Sequence, residues 1–401
     1  MSPASAGSRE QRNFGLDLLR AAAILAVLAF HGYLGFGVST GVSAWQGWRA
    51  ALSACAGVLS LEWFFVLSGF LIGSILIRSF ETGRGWWTST RAFWLRRWFR
   101  TLPNYYLFLA LNALLAAAHV EEGRFAWPFL VFSQSLAWAQ DKPFFFAESW
   151  SLAVEEWFYF TIPWLLGAVA LLARLERRNL FAVAAAILIL APTLVRIALP
   201  APAHFFEWDD NVRRVSALHL DSIGWGVAAA IVNRWLPGWW AARPGLKALL
   251  GLALTLGSVG ALFYFLLIDW HGFAGGRLND LALITAPAAG TALLLPWLSA
   301  RRAPWPALRR WAARVADYSY SMYLCHFPLM LLMLHLIRAR GWDAAAQLFW
   351  MLPLWLLLVW ALSALIFHRF ERPVTDLRER FASRVRAGPF GPQAASRSPP
   401  S

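Results

Sequence analysis

Long apolar segments separated by short polar ones occupy most of this chain. Ten of them are long enough to cross a lipid bilayer as helices, and we predict a helix for each. The stretch 125–139 is apolar too, but it is short and interrupted by Pro128 and Gln134, which predicts an interfacial or re-entrant segment. The ten predicted helices cover residues 15–36, 51–77, 101–119, 148–173, 179–199, 216–235, 246–268, 279–299, 315–337 and 345–368.

Composition points to a membrane protein. Of the 401 residues, 59% are hydrophobic, only 14% are charged and 25 are tryptophan, a balance that excludes an ordinary water-soluble domain. We therefore predict an all-α integral membrane protein, a bundle of about ten transmembrane helices. Cys55 and Cys325 both lie in apolar stretches, which predicts core packing and neither a disulfide nor a metal site.

Positive charge is distributed unevenly among the loops. One set of alternating loops, together with both termini, holds 26 of the Lys and Arg residues, and the other set holds 8. Because cytoplasmic loops retain positive charge, both termini are predicted to be cytoplasmic, in a multi-pass protein of the cell inner (plasma) membrane. The excess of 36 basic over 22 acidic residues forms no single soluble face, which argues against nucleic acid as a partner.

The same pattern divides the chain into three regions. Residues 1–13 are predicted to be a cytoplasmic tail, 14–373 the transmembrane domain, and 374–401 a cytoplasmic, disordered tail rich in Arg, Pro, Ser, Gly and Ala. The first apolar segment contains Asp17 and has no signal-peptide cleavage pattern, so we interpret it as a retained helix.

The first predicted helix carries candidate chemistry. Arg20 and His31 are separated by ten residues without another polar side chain. Eleven helical positions place both on one face, about 16 Å apart along the axis. Charged and titratable groups inside an apolar span are costly and usually functional, so both are candidate catalytic residues.

A basic segment precedes the third predicted helix. If residues 91–100 are helical, Arg96, Arg97 and Arg100 lie within one arc of about 100°, with the neighbouring tryptophans facing away. One interpretation is a membrane anchor with its aromatic side in the interface. The other is a phosphate clamp, because arginine offers forked donors that match phosphate oxygens.

The fourth predicted helix contains two adjacent carboxylates. Ser151, Glu155 and Tyr159 are four residues apart and share a face, whereas Glu156 points elsewhere. His31 and Glu155 each lie about six residues from the outer end of a helix, roughly 9 Å below that surface. We therefore predict that Glu155 orients the His31 imidazole as a general base. The structural alternative is that a carboxylate here only neutralises a buried cation such as Arg20.

Two later segments add supporting candidates. Asp221 and His219 lie near the outer end of the sixth predicted helix, and His326 lies near the middle of the ninth. For His326, a satisfied core histidine is as good an interpretation as a functional one.

Seven strings occur in this order along the chain: LDLLRAAAILAVLAFH, EWFFVLSGFLIGSIL, RRWFRTLPNYY, SWSLAVEEWFYFTIPW, LDSIGWGVAAA, YSYSMYLCHFPL and FERPVTDL. Together they resemble motifs of the acyltransferase 3 family of membrane O-acyltransferases, which includes lipopolysaccharide O-acetylases. The resemblance implies a ten-helix core that moves an acyl group, usually acetyl, from cytoplasmic acyl-CoA to a hydroxyl of an acceptor at the outer face, such as a cell-surface carbohydrate.

The resemblance also assigns residues. It places the family's essential histidine at His31, and its other motif positions at Arg20, Arg97, Arg100, Trp150, Ser151 and Glu155. The chain departs from the family pattern at Leu18 and Leu19, where small or polar residues are frequent, and at Trp157, where Gln is common.

These assignments predict a mechanism. Arg96, Arg97 and Arg100 hold the CoA phosphates while the pantetheine arm reaches His31 through the bundle. His31 then either deprotonates the acceptor hydroxyl or accepts the acyl group itself. Arg20 holds a phosphate, stabilises the thioester oxygen, or neutralises Asp17 or Glu155. No permanently bound cofactor or metal is expected, and acyl-CoA is a co-substrate.

Two other classes of function stay open. A proton-coupled secondary transporter also buries Arg, His and Glu, but the matched broken helices of an inverted repeat are not found in this sequence. A membrane scaffold would only pair its charges. Many members of the family carry a C-terminal hydrolase-like domain, whereas this sequence ends soon after its last predicted helix, which predicts a small acceptor or a separate periplasmic partner.

Overall fold

The computed structural model of the protein describes residues 12–38, 41, 47–83, 85–267 and 279–377. Over these residues the chain is all-helical and contains no β-strand, as predicted. Residues 1–11 and 378–401, which make up most of the two predicted tails, lie outside the described residues. The helices are α1 Phe14–Gly32, α2 Gly47–Glu81, α3 Trp86–Ala117, α4 Ser149–Ala173, α5 Arg177–Ala198, α6 Phe205–Trp208, α7 Leu220–Trp235, α8 Pro237–Ala241, α9 Pro244–Leu267, α10 Ala286–Ser299, α11 Pro306–Ala339 and α12 Ala344–Ile366.

Each of the ten predicted membrane helices coincides with an observed helix. Among the described residues, eight helices are long and apolar enough to cross a membrane. Of the ten predicted membrane helices, the two that do not meet these limits are α3, whose sequence contains several arginines, and α7, which has only 16 residues. The protein is therefore a multi-pass membrane protein, while ten spans and cytoplasmic termini stay predictions.

The apolar stretch 125–139 is not a membrane-crossing helix, as predicted. It forms one 3₁₀ turn, Trp127–Val131, followed by irregular backbone. The carbonyl of Ser135 accepts a hydrogen bond from the Ser216 N–H, and the Trp157 indole donates one to the Phe132 carbonyl at 2.9 Å. Irregular backbone is stable in such a protein only where neighbouring elements satisfy its polar groups, as they do here.

Glycines allow several helices to touch backbone to backbone. A Cβ on Gly69 of α2 would lie 2.1 Å from the Ile223 carbonyl oxygen of α7, and a Cβ on Gly15 of α1 would lie 1.9 Å from the Leu298 carbonyl oxygen of α10. Small residues permit this approach in membrane bundles, where dispersion contacts replace the hydrophobic effect. Helix α1 is thereby packed among α2, α10 and α11.

The helices α1 and α11 run in the same direction. Arg12, next to the start of α1, forms ion pairs with Asp17 at 2.7 Å and with Asp317 of α11 at 2.9 Å. At the other end of α1, His31 contacts His326, nine residues further along α11. We call the two ends of the bundle the Arg12 end and the His31 end.

Candidate active site

His31 occupies the last turn of α1 and contacts a second histidine. Its Nδ1 lies 3.1 Å from the Val27 carbonyl oxygen and 3.2 Å from Nε2 of His326. The two ring centroids are 4.8 Å apart. His326 is fully buried, whereas His31 is partly exposed, so the pair has one accessible member.

The structure corrects the predicted contact between Glu155 and His31. The Glu155 Oε2 atom accepts a hydrogen bond from the Tyr159 hydroxyl at 2.8 Å, and the carboxyl interacts electrostatically with Arg20 and Arg97. The His31 imidazole contacts His326, and not the predicted carboxylate, through its Nδ1 atom. The structural alternative considered for Glu155, proximity to buried cations, is therefore the arrangement observed.

Glu155 lies at a different depth from the predicted one because α4 begins inside the bundle. The Tyr323 hydroxyl on α11 lies 3.0 Å from the Glu148 carbonyl oxygen and 2.6 Å from the Ser151 Oγ, so the first turn of α4 lies at the level of Tyr323. The residues before it form the irregular segment and not a helix that ends at the membrane surface. Counting residues from the start of α4 therefore misplaces Glu155.

A second chain of hydrogen bonds fixes the depth of the acidic pair. The Tyr320 hydroxyl donates to the Thr101 carbonyl at 2.8 Å, and the Thr101 hydroxyl donates to Glu156 at 2.5 Å. Tyr320 precedes His326 by six residues, so Glu155 and Glu156 lie roughly 9 Å closer to the Arg12 end than His326 does.

Four arginines gather at that level and towards the Arg12 end. Arg97 interacts electrostatically with Arg96, Arg100 and Glu155, and Arg20 interacts with Arg100 and Glu155. The Arg97 Nε is buried and has no hydrogen-bond partner among the described residues. Arg100 is exposed, and the other three side chains are partly exposed. We call Arg20, Arg96, Arg97 and Arg100 the arginine cluster.

The remaining predicted site residues lie at different distances from these two centres. Ser151 is one contact away from the histidine pair, because Tyr323 touches both Ser151 and the His326 ring, whose centroid is 5.7 Å from that of Tyr323. Trp150 is buried and stacks on His219, with 5.9 Å between ring centroids. Asp17 is bound to Arg12, and its charge also acts on Arg20.

Asp221 belongs to a structural ion pair and is not brought to His31. Its two carboxylate oxygens accept hydrogen bonds from Arg196 of α5 at 3.0 and 2.7 Å, and both side chains are fully buried. The Thr193 hydroxyl lies within 3.4 Å of the same carboxylate. The pair ties α5 to α7 inside the bundle.

Replacement of Asp221 by asparagine is expected to lower the free energy of unfolding by roughly 3–5 kcal/mol, because it leaves a buried guanidinium without its counter-charge. Thermal unfolding of the purified protein in detergent measures the change. The matched control is the double variant Arg196→Met with Asp221→Leu, which removes both charges and should cost less than the single change. A single variant that is more stable than the double one would contradict this account.

The sequence interpretation gave no role to a buried network in α2 and α7. His219 Nε2 lies 2.8 Å from Glu62 Oε1, His219 Nδ1 lies 2.6 Å from the Arg213 carbonyl oxygen, and the Ser222 hydroxyl donates to Glu62 Oε2 at 2.5 Å. Glu62, His219 and Ser222 are all fully buried. The signal that was available is the single carboxylate within the long apolar run of α2.

Glu121 and Glu148 are two further carboxyls of the irregular region. Glu121 accepts a hydrogen bond from the Phe146 N–H at 2.7 Å, and both Glu148 oxygens are buried without a hydrogen-bond partner among the described residues. Burial raises the pKa of Glu121 to about 7 and raises the pKa of Glu148 well above its ordinary value.

We expect the raised pKa of Glu121 to make the free energy of unfolding depend on pH. In the folded state Glu121 keeps its proton up to about pH 7, whereas in the unfolded chain it ionises near the ordinary pKa of 4.5. Stability should therefore fall as pH rises through that window, by up to about 3 kcal/mol from this residue. Melting temperatures between pH 4.5 and pH 8 check this, and Glu121→Gln should flatten the dependence. An unchanged slope in the variant would refute the assignment.

No group of three His, Cys, Asp or Glu side chains is placed to hold a metal ion within the described ranges. The candidate reactive and binding groups are the histidine pair at one level of the bundle and the arginine cluster with its acidic neighbours at the other.

A family model and several curated relatives match this chain, and their names agree. The chain matches the family described as the acyltransferase domain over residues 13–368. It is 26% identical, over 92% of its length, to a Bacillus subtilis protein provisionally named a peptidoglycan O-acetyltransferase. It is 32% identical over 41% of its length to a provisionally named O-acetyltransferase of Staphylococcus aureus, and 28% identical over 37% of its length to the peptidoglycan O-acetyltransferase of Listeria monocytogenes.

These relatives are longer than the part that aligns. The aligned region amounts to 56% of the Bacillus protein, 26% of the Staphylococcus protein and 23% of the Listeria protein. No solved structure matches the chain.

Proposed function

The chain belongs to the acyltransferase family that covers residues 13–368, and from this premise we propose that it transfers an acetyl group from acyl-CoA to a hydroxyl of a cell-wall carbohydrate. The donor is acyl-CoA on the cytoplasmic side, and the acceptor lies on the opposite face of the cell inner membrane. The observation that carries the proposal is that α1 contributes His31 to the histidine pair at one level of the bundle and Arg20 to the arginine cluster at another.

The arginine cluster supports an anionic donor. Arg20 and Arg97 both interact with Glu155, and each of them is also repelled by Arg100. An incoming phosphate would relieve that repulsion and supply an acceptor for the unpartnered Arg97 Nε. The phosphates of a CoA thioester have this chemistry.

The spacing along α1 supports a thioester that reaches His31. Arg20 and His31 lie on one face, about 16 Å apart. Both side chains are partly exposed although α1 is packed among α2, α10 and α11. A ligand anchored by its phosphates at the arginine cluster would need a long, thin arm to reach His31, and the pantetheine arm of CoA is of this kind.

His31 supplies the acid–base or nucleophilic group. As a base, it takes the proton of the acceptor hydroxyl while the oxygen attacks the thioester carbon; the C–S bond then breaks and the thiolate recovers the proton from the imidazolium. In the other route the imidazole attacks the thioester carbon first and the C–S bond breaks to release the thiolate; the acceptor hydroxyl then attacks the acyl-imidazole, and the hydroxyl proton passes to the thiolate. Both routes end in the same ester and free CoA.

The acceptor assignment rests on the relatives. Two of the three relatives described above are named for peptidoglycan O-acetylation. We extend that class of acceptor to this chain, reached at the His31 end either directly or through a separate protein on that face.

Labelled acetyl-CoA tests the proposal. Membranes that contain the protein are incubated with labelled acetyl-CoA and a peptidoglycan fragment. The alkali-labile label in the fragment is then compared with that from membranes that lack the protein. We expect labelled ester only in the first sample. Equal labelling in both would contradict the function, since a transporter or a scaffold forms no ester.

A further inference from the structure

The geometry points to His326 as the positioning residue that, together with the Val27 carbonyl, holds the proton of His31 on Nδ1 and leaves His31 Nε2 as the reacting nitrogen. This inference rests on the proposed function. It assigns to a histidine 295 residues away in the sequence the orienting role that Glu155 was expected to have.

The hydrogen bonds of His326 define which of its ring nitrogens carries the proton. Its Nδ1 lies 3.2 Å from the Met322 carbonyl oxygen, and a carbonyl oxygen only accepts hydrogen bonds. A hydrogen bond there requires the proton on Nδ1. In the neutral ring the other nitrogen, Nε2, then carries a lone pair and acts as an acceptor.

His31 also has one defined ring proton. Its Nδ1 faces two acceptors, the Val27 carbonyl oxygen at 3.1 Å and His326 Nε2 at 3.2 Å. The proton of neutral His31 therefore lies on Nδ1, and Nε2 carries the free lone pair. This is the nitrogen that can take a hydroxyl proton or attack a thioester carbon, and the Nδ1–H stays donated while it does so.

The position of His326 is itself fixed by packing. The Trp355 indole of α12 donates a hydrogen bond to the His326 carbonyl at 2.9 Å, and both residues are fully buried. The chain directly after His31 is held against α11 as well, because a Cβ on Gly35 would lie 1.9 Å from the Met330 sulfur. The two rings are thus held in contact by the packing of α1, α11 and α12.

No carboxylate is needed for this arrangement. The charged groups that act on His31 from neighbouring elements are Arg213 and Arg214, and both are cations. A neutral histidine that donates to a carbonyl is a partner that can accept from His31 Nδ1 without adding a further charge.

The kinetic test compares two variants at one position. His326→Leu removes the acceptor that holds the His31 ring against α11, and we expect kcat for acetyl transfer to fall by roughly 100-fold or more, with KM for acetyl-CoA unchanged. His326→Gln can place an amide oxygen near the former Nε2, so it should recover most of the activity. The control is His335→Gln, on the same helix outside the site, which should behave like the unmodified protein.

Equal losses in the Leu and Gln variants, or a rise in KM with unchanged kcat, would overturn the inference. If the role of His326 were purely structural, both variants would lose activity in proportion to the loss of folded protein. A melting curve of each variant measures that loss.

A spectroscopic readout is independent of catalysis. Nitrogen-15 NMR of histidine-labelled protein in lipid bilayers distinguishes protonated from unprotonated ring nitrogens, and the His31 signals are assigned by their loss in His31→Gln. We expect protonated Nδ1 and unprotonated Nε2 for His31, and a weaker preference for that tautomer in His326→Leu, where the Val27 carbonyl still accepts from Nδ1–H. The reverse tautomer in the unmodified protein would refute the inference. The expected tautomer in a protein that transfers no acetyl group would refute the proposed function instead.

Discussion

Replacement of His31 by glutamine is expected to lower the rate of acetyl transfer by roughly 1,000-fold while the protein remains folded in the membrane. Glutamine keeps polar atoms at the end of α1 but can neither take up a proton at neutral pH nor form an acyl-imidazole. The rate of labelled ester formation from acetyl-CoA in purified membranes measures the effect.

The control for this change is His335→Gln, because His335 lies on α11 towards the same end of the bundle without contacting the histidine pair. Its rate should match that of the unmodified protein. Transfer by His31→Gln at more than a tenth of the normal rate would remove His31 from the centre of the reaction.

The second large effect is expected at the arginine cluster. The double variant Arg97→Ala with Arg100→Ala should raise KM for acetyl-CoA by roughly 100-fold, because each charge-assisted hydrogen bond to a phosphate is worth about 1.5–3 kcal/mol. The value of kcat at saturating donor should change much less. Initial rates over a range of acetyl-CoA concentrations, at fixed acceptor, separate the two quantities.

The matched control is Arg309→Ala with Arg310→Ala, two exposed arginines at the start of α11 and at the Arg12 end. It removes the same charge without touching the arginine cluster, so KM for acetyl-CoA should be unchanged. If the first double variant altered KM for the acceptor and not for acetyl-CoA, the donor assignment would be wrong.

The sequence predicts the helices well because apolar length is a local property. Every predicted membrane helix falls on an observed one, and the position of Arg20 and His31 on one face of α1 follows from helical periodicity alone. The number of spans is harder to predict. The arginines of α3 lower its mean hydropathy, and α7 has only 16 residues, so neither helix shows the length and hydropathy that mark a span.

The contacts of the site depend on how helices are set relative to one another. Glu155 was placed beside His31 by counting from the first residue of α4, but that residue is buried at the level of Tyr323. The contact between His31 and His326 joins α1 to α11, and no periodicity within either helix predicts it. A single sequence offers candidates for such a pair but not the pairing itself.

The central claim is that an acetyl group passes from one face of the membrane to the other by way of His31. Purified protein is reconstituted in sealed vesicles in one orientation, with labelled acetyl-CoA on the side of the arginine cluster and a peptidoglycan fragment on the other. We predict labelled ester on the acceptor side, released CoA on the donor side, and neither with His31→Gln. Intact acetyl-CoA on the acceptor side, or ester formed only when both substrates share one side, would contradict the claim.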